Sequence, residues 1–196
     1  MKIERPKSKQ SLPEDAKRVF KGVIFDVYQW EQKLYDGTMA TFEKLKRPDS
    51  ALIIPVTEEG KIIMSRQEQP GKEPFMGMLG GRVDDGEEIL EAAKRELMEE
   101  AGYEAREYVL LDSFQPVSKI EWVVYVLVAK GCHKVAEQNL EGGEKIELKF
   151  VSFDELVELV TNETDSRFAD SELKVKFLGA KLNPNKMAEL KKLIME

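Results

Sequence analysis

The chain has 196 residues, of which 42% are hydrophobic and 34% charged, values that suit one soluble domain with a full core. Its net charge of −7 disfavours broad binding to nucleic acid or to anionic membranes. A single cysteine, Cys132, and a single histidine, His133, exclude an internal disulfide and disfavour a zinc site or a cysteine-protease centre. The N-terminus has no apolar run, so we expect no signal peptide, no membrane span and a cytoplasmic protein.

The first part of the chain predicts a polar arm followed by antiparallel strands. Residues 1–17 are polar and contain two prolines, which predicts a loose arm. Residues 19–30 are β-branched and aromatic, which predicts one strand. The hairpin signal Asp36-Gly37 then returns the chain into a second strand at residues 38–45.

The remainder alternates strands and helices. An Asn-Pro pair precedes the last helix, and a capping box at Ser152 to Glu155 opens an earlier one. We divide the chain into an N-terminal element, 1–48, and a main domain, 49–196. The predicted strands are 51–56, 61–66, 108–114, 122–130 and 146–151; the predicted helices are 88–101, 152–160, 172–178 and 185–195, with a polar loop at 161–171.

The helix at 88–101 has the clearest local signals. It contains no Gly, Pro or Asn and is rich in Glu, Leu, Ala and Lys, which are good helix formers. Asp85 is the predicted N-terminal cap with Glu88 as its capping-box partner. Gly102 stands where a left-handed C-terminal cap is expected.

Three carboxylates crowd one side of this helix. Glu96 is three residues from Glu99 and four from Glu100, and Arg95 is four from Glu99, which it can brace. Such carboxylates repel one another unless a cation neutralises them, and Mg²⁺ prefers oxygen ligands of this kind. The alternative is a solvated acidic helix face with no ligand.

The stretch as a whole, GRVDDGEEILEAAKRELMEEAGY at residues 81–103, resembles the signature of the Nudix hydrolases. Gly81 is followed by five residues, Glu87, seven more residues and then Arg-Glu-apolar-x-Glu-Glu-x-Gly, with Tyr103 where that family usually has an aliphatic residue. The resemblance implies an α/β fold: an α/β/α sandwich with a mixed β-sheet, here extended by an N-terminal β-hairpin. It also implies hydrolysis of a nucleoside diphosphate linked to another group.

The resemblance further implies roles for particular residues. Mg²⁺, or Mn²⁺ in its place, is expected on Glu96, Glu99 and Glu100, with a carbonyl oxygen of Gly80 or Gly81 as a further ligand. Glu87 is expected to order the glycine loop, and Arg95 to orient Glu99. The base that activates water is expected in the acidic loop at 137–144: Glu144 is the first choice and Glu141 the second, unless that loop is merely solvated.

Features outside the signature resemble the branch that hydrolyses ADP-ribose and nucleoside-diphosphate sugars. They are Leu45-Lys46-Arg47-Pro48, the loop Gln67-Glu68-Gln69-Pro70, and the spacing from Pro116 to Glu121. The chain departs from this branch at Gly77 and Leu79, where Glu and Pro are usual, which puts one substrate or metal contact in doubt.

Four residues are candidate substrate contacts. Trp30 either stacks on a nucleobase or packs in a core or dimer interface. Arg47 either grips a phosphate or forms a surface salt bridge. Pro116 and Glu121 would bound the distal sugar-phosphate end.

The expected partner is therefore a small-molecule nucleoside diphosphate, with no nucleic acid and no membrane. The branch also implies a homodimer formed through the N-terminal strands, which are too apolar to stand alone. Three alternatives remain open: a dinucleoside-polyphosphate or nucleoside-triphosphate hydrolase, a cap hydrolase, and a non-catalytic nucleotide sensor of the same fold. The presence of all three glutamates argues against the nucleotide sensor. The net negative charge argues against an RNA substrate and therefore against the cap hydrolase.

Overall fold

The computed structural model describes residues 3–140, 142–162 and 172–196, and within them the chain forms two β-sheets and four α-helices. The strands are β1 Lys17–Lys21, β2 Asp26–Lys33, β3 Met39–Lys46, β4 Ser50–Thr57, β5 Ile62–Glu68, β6 Phe75–Gly77, β7 Leu79–Arg82, β8 Tyr103–Glu104, β9 Glu107–Phe114, β10 Ile120–Glu121, β11 Val124–Lys134 and β12 Lys145–Val151. The helices are α1 Ile89–Ala101, α2 Phe153–Asn162, α3 Glu172–Lys181 and α4 Pro184–Met195.

The larger sheet is mixed and has eight strands. Its main path runs β12-β5-β4-β11-β8, with β6 on β5, β7 on β4 and β9 on β11. β4 and β11 are parallel, with Ser50 opposite Val124, whereas the other pairs are antiparallel. β4 and the first six residues of β11 are almost wholly buried, as expected for strands covered on two faces.

Helices cover both faces of this sheet. Helix α1 packs one face through the small or apolar side chains of Ala92, Ala93, Leu97 and Ala101, each fully buried. On the other face, Phe153 and Leu156 of α2, Phe177 of α3 and Ile194 of α4 share a second cluster. The predicted α/β/α sandwich is confirmed.

The smaller sheet has the order β1-β2-β3-β10 and belongs mainly to the N-terminal part. β2 and β3 form the predicted hairpin, in which Gly37 has a left-handed φ of 88°. Strand β10 joins β3 in parallel, with Ile120 opposite Leu45, so the main domain contributes one strand to this sheet. The division near residue 48 stays a prediction.

The prediction of one strand at 19–30 is wrong. The chain reverses between β1 and β2, where the Gly22 amide donates to the Phe25 carbonyl at 3.0 Å. A β-branched and aromatic composition predicts extended backbone, but it does not locate a turn inside the stretch.

The prediction of a loose N-terminal arm is also wrong for residues 5–10. Arg5 forms an ion pair with Asp49 and, at 3.1 Å, with Glu121. The Lys9 amide donates to Gln115 at 2.7 Å. These partners are more than 40 residues away in sequence, so no local pattern could indicate them.

The helix boundaries follow the predictions closely. The capping box is present, because the Ser152 amide donates to Glu155 at 2.7 Å and the Glu155 amide to the Ser152 hydroxyl at 3.2 Å. Asn183 caps α4 through its side chain. Of the predicted loop at 161–171, the first two residues end α2 and the others lie outside the described residues.

No helix in the described parts of the chain is long and apolar enough to cross a membrane.

Candidate active site

Two glycines of β7 allow the strand to lie directly between β4 and helix α1. Gly80 has a φ of 127°, and a Cβ there would collide with the carbonyl oxygen of Ala51. A Cβ on Gly81 would collide with the carboxylate of Glu96. Glycine at position 80 is thus needed for the approach of β7 to β4, and glycine at position 81 leaves room for the carboxylate of Glu96 beside the strand.

Arg95 is the centre of an ion-pair network at the start of α1. Its guanidinium donates to Glu87 at 3.0 Å, to Glu96 at 2.8 Å and to Glu99 at 3.0 Å. It also donates to the Arg82 carbonyl at 2.9 Å. The predicted brace from Arg95 to Glu99 is present, and the same group also holds the loop that precedes the helix.

Glu87 orders that loop, whereas the predicted cap at Asp85 is wrong. The helix begins at Ile89 after Glu88, whose side chain makes no capping hydrogen bond. Instead the Asp84 amide donates to Glu87 at 3.0 Å. The hydrogen bond from Arg95 lowers the pKa of Glu87, so this carboxylate stays charged within the network.

Glu100 is the most buried of the three helix carboxylates, with 4% of its surface exposed. It accepts a hydrogen bond of 2.6 Å from the Gly80 amide. Burial, together with the charges of Glu96, Glu144 and Glu99, raises the pKa of Glu100 to about 8, against the lowering effect of the Gly80 hydrogen bond. This site therefore opposes negative charge on Glu100.

The pKa of Glu96 is also raised, by less than that of Glu100. Burial raises the pKa of Glu96, Arg95 opposes that rise, and the charges of Glu99 and Glu144 add to it. Because Glu144 acts on both Glu96 and Glu100, it belongs to the same charge cluster although it lies more than 40 residues further along the chain.

The segment from residue 135 to 140 is fastened to the C-terminal end of α1. The amides of Val135 and Ala136 donate to the Gly102 carbonyl, and the Asn139 amide donates to the Glu99 carbonyl at 2.8 Å. The Gln138 side chain donates to the Glu100 carbonyl at 2.6 Å. These bonds satisfy helix carbonyls that otherwise have no partner, and they bring the acidic loop to the helix.

The cleft that results, which we call the box cleft, has a volume of about 250 Å³. Glu144, the first choice for the base, lines it together with residues of the glycine strand and of α1. Glu141, the second choice, lies outside the described residues. The predicted site residues that line the box cleft are Gly80, Gly81, Arg95, Glu96, Glu99 and Glu144.

The donor set of this site fits a hard divalent cation. In the described part of the chain, no three acidic, His or Cys side chains converge into a ready ligand cluster. Glu96 and Glu99 contact Arg95, and Glu100 contacts Gly80. However, burial first and then neighbouring carboxylates raise the pKa values of Glu96 and Glu100, so negative charge on these two groups is disfavoured unless a cation compensates it. Carboxylate oxygens in such excess are the ligands that Mg²⁺ and Mn²⁺ favour.

Arg47 and Glu121 lie together in a different cavity, of about 410 Å³, on the other side of the 83–87 loop. The Arg47 guanidinium carbon is 4.5 Å from the centre of the Trp122 ring, and its Nε is buried without a hydrogen-bond partner among the described residues. Glu121 accepts hydrogen bonds from Lys44 at 2.6 Å and from Arg5. Both candidates are thus held by neighbours within the chain, and the predicted surface salt bridge of Arg47 is absent from the described residues.

Trp30 and Pro116 line neither cavity. Trp30 is 6% exposed, and its ring centre is 6.0 Å from that of Phe42. Pro116 is half-buried in the connection between β9 and β10. Base stacking on Trp30 and a substrate contact at Pro116 stay predictions.

Sequence reasoning missed three contributors. Lys44, whose side chain is fully buried, pairs with Glu121 beneath the N-terminal arm. Arg5 joins the cavity of Arg47, and Gln138 fastens the acidic loop. Each acts over a long sequence distance, so no spacing rule could find it.

The buried thiol of Cys132 has its pKa raised to about 12 by burial and is unsuited to nucleophilic chemistry.

On this α/β/α sandwich, the glycine strand β7, helix α1 and the segment that carries Glu144 line one cleft. The chain belongs to the Nudix family, since the family model described as "NUDIX domain" matches residues 46–171.

Curated relatives support this assignment. The chain is 30% identical over 146 residues to an ADP-ribose pyrophosphatase of Bacillus subtilis (strain 168), covering 73% of this chain and 79% of the relative. It is 28% identical to the methanol dehydrogenase activator of Bacillus methanolicus, covering 76% and 77%. It is 25% identical to the ADP compounds hydrolase NudE of Escherichia coli (strain K12), covering 66% and 70%.

A solved structure shows the same fold. The crystal structure of an ADP compounds hydrolase superposes with a TM-score of 0.68 and 19% identity, covering 92% of this chain and 98% of that one. The chain is therefore a Nudix pyrophosphohydrolase related to enzymes that act on ADP compounds.

Proposed function

We propose that this enzyme hydrolyses the pyrophosphate bond of a nucleoside diphosphate linked to a sugar, with ADP-ribose as the representative substrate. The products would be a nucleoside monophosphate and a sugar phosphate. The observation that carries the proposal is the box cleft, in which Glu144 faces the carboxylates of α1. The Bacillus subtilis and Escherichia coli relatives are named for hydrolysis of ADP-ribose and of ADP compounds, which favours an ADP compound as the substrate here.

Mg²⁺, with Mn²⁺ as a substitute, would be held by Glu96, Glu99 and Glu100, with a carbonyl oxygen of Gly80 or Gly81 as a further ligand. Such an ion neutralises charge on the phosphate oxygens and lowers the pKa of bound water. Arg95 contacts two of the three glutamates, so it limits the directions in which they can turn.

Glu144 is the proposed base. It would accept a proton from the water that attacks one phosphorus atom. As the new phosphorus–oxygen bond forms, the bond between that phosphorus and the bridging oxygen breaks, and the bridging oxygen leaves on the other phosphate. Glu144 suits this role because it lines the cleft but stands on a separate segment from the proposed ligands.

The remaining features of the proposal come from the branch resemblance. Trp30, Arg47, Pro116 and Glu121 are the proposed substrate contacts. The protein is proposed to be cytoplasmic and to act as a homodimer.

A panel of substrates tests the function. ADP-ribose, other nucleoside-diphosphate sugars, dinucleoside polyphosphates and nucleoside triphosphates would be incubated with Mg²⁺, and products separated by chromatography. We expect a nucleoside-diphosphate sugar to be the best substrate, because a triphosphate leaves the binding energy of the distal site unused. Glu100→Gln should slow turnover by roughly 100-fold or more. Faster hydrolysis of triphosphates or dinucleoside polyphosphates would contradict the proposal.

A further inference from the structure

Strand β5 carries two buried polar side chains on the face that contains Ile63. Residues 63, 65 and 67 share one face, because side chains alternate along a strand. Ile63 belongs to the apolar cluster that packs on helix α1, whereas Ser65 is fully buried and Gln67 is 9% exposed. Burial of a hydroxyl or an amide costs free energy unless the group is hydrogen-bonded, so the partners of these two side chains indicate what they do.

Both side chains bond to the place where the chain passes from one ladder of the sheet to another. Strand β6 ends on β5, with Gly77 opposite Ser65, and β7 begins on β4, with Leu79 opposite Ile53. Among the described residues, Met78 between them is paired in neither ladder. Since Met78 is 7% exposed, its carbonyl needs a donor from outside the ladders.

Ser65 and Gln67 form a relay that supplies this donor. The Gln67 amide nitrogen donates to the Ser65 hydroxyl at 2.8 Å, and that hydroxyl donates to the Gly77 carbonyl at 3.0 Å. The Met78 carbonyl lies 3.3 Å from the Ser65 hydroxyl and 3.5 Å from the Gln67 nitrogen. The relay thus binds the last carbonyls before β7 and fixes where that strand begins.

Strand β7 carries the backbone of the box cleft. The Gly80 amide, two residues after Met78, donates to Glu100 at 2.6 Å, and Gly81 lies against the carboxylate of Glu96. On its other side, Gly80 is so close to β4 that a Cβ would collide with the neighbouring backbone. A small displacement of β7 would therefore change its distance to both carboxylates.

We propose that Ser65 and Gln67 are positioning residues of the candidate active site. Their relay holds the start of β7, and β7 in turn holds the Gly80 amide and the Gly80 and Gly81 carbonyls beside the helix glutamates. The described residues that line the box cleft include neither Ser65 nor Gln67, so both act through the strand. The part that concerns metal rests on the proposed function, in which one of these carbonyls is a ligand.

Substitutions that remove one hydrogen-bonding group each test the relay. Ser65→Ala removes the hydroxyl, Gln67→Leu removes the amide at similar volume, and the double variant removes both. Thr161→Val is the matched control, because it removes a buried hydroxyl that donates to the Val157 carbonyl at 2.7 Å within α2.

Three measurements are made on each variant. With ¹⁵N-labelled glycine, NMR follows hydrogen exchange of the Gly80 amide in the absence of metal, with the Gly102 amide at the end of α1 as the internal reference. Mn²⁺ affinity is measured by electron paramagnetic resonance, and kcat and KM are measured with ADP-ribose.

We expect Ser65→Ala to speed exchange of Gly80 relative to Gly102, to weaken Mn²⁺ binding and to lower kcat, each by about tenfold, because small misplacements of a site are costly. KM should change by less than about twofold, since neither residue is assigned a substrate contact. Gln67→Leu should have smaller effects of the same kind. The double variant should lose little more than Ser65→Ala, because Gln67 acts mainly through the hydroxyl.

The inference is refuted if Gly80 exchange in Ser65→Ala matches wild type, or if exchange rises while Mn²⁺ affinity and kcat stay unchanged. Equal changes in Thr161→Val would show a general loss of stability and would also refute it, as would additive effects of the two β5 substitutions. Failure of wild type to hydrolyse any nucleoside-diphosphate sugar would refute the proposed function instead, because the exchange and Mn²⁺ measurements require no substrate.

Discussion

At the scale of single residues, Glu100 lies where its surroundings oppose its charge. Its pKa is raised to about 8, first by burial and then by neighbouring carboxylates. The native protein therefore keeps a proton on Glu100 at pH values where the unfolded chain has released it. Stability should fall as pH rises from about 4.5 to about 8 and should lose nothing more from this group at higher pH.

We predict that Glu100→Gln removes much of this pH dependence. In chelator, the wild type should lose on the order of 3 kcal/mol of unfolding free energy from this group between pH 5 and 8. The variant should show a flatter profile, because glutamine has no proton to lose and can still accept from Gly80. Urea unfolding at several pH values measures both profiles, and Glu91→Gln, exposed on the same helix, is the control. Parallel profiles for wild type and Glu100→Gln would contradict the raised pKa.

Glu144 is expected to act in a different way from the helix glutamates. Glu144→Gln should lower kcat by roughly 100-fold or more while KM and Mg²⁺ affinity change little, because proton abstraction is felt in the transition state. Steady-state kinetics and a Mg²⁺ titration separate the two effects. Glu147→Gln, an exposed residue of β12, should behave as wild type. If Glu144→Gln retains normal kcat and Glu141→Gln does not, Glu141 is the base.

At the scale of elements, the docking of the acidic loop on α1 links two parts of the proposed site. Gly102 ends the helix with a φ of 73°, and a Cβ on it would collide with the Ala136 carbonyl. One glycine therefore both terminates the helix and makes room for the segment that leads to Glu144.

Gln138→Ala tests whether this docking matters for turnover. The variant loses the hydrogen bond to the Glu100 carbonyl, which contributes about 0.5–1.5 kcal/mol. We expect kcat to fall about two- to tenfold, with KM and melting temperature nearly unchanged, because the loop would spend less time in place. Glu137→Ala removes a neighbour that pairs with Lys134 at the surface and is the control. Equal kcat for the two variants would show that Gln138 does not position the loop.

At the scale of the whole molecule, apolar side chains of β1 and of the turn before β2 are exposed within the described part of the chain. Val19, Phe20 and Ile24 are 53%, 59% and 55% exposed, and Val23 is 99% exposed. Several large apolar side chains exposed close together along the chain favour an interface at this place.

We predict that the protein is a dimer of twice 22.4 kDa and that this surface belongs to the interface. Light scattering after size exclusion measures the mass at micromolar concentration. Val23→Asp combined with Ile24→Asp should shift wild-type dimer to monomer, because the interface would then bury unpaired charge. Val175→Asp, at an exposed valine of α3, should leave the mass unchanged. A wild-type mass near 22.4 kDa would reject the dimer.

The sequence by itself determined the family, the helix that carries the glutamates and most helix boundaries. These features depend on signals within a few residues of one another: helix propensity along 88–101, the reciprocal bonds between Ser152 and Glu155, and the left-handed cap at Gly102. Short-range interactions of this kind persist whatever the rest of the chain does, so a local pattern can predict them.

Only the tertiary structure decided how these elements meet. Packing between distant segments decides three features: the fastening of the arm through Arg5, the burial of Trp30 and the placement of Arg47 on Trp122. The position of Glu144 also depends on distant contacts. Gln138 and Asn139 of the segment before it bind the end of α1, and no local pattern in the acidic loop indicates those bonds. Such contacts involve residues up to more than a hundred positions apart, and which of them form is decided by the free energy of the whole fold rather than by any local preference.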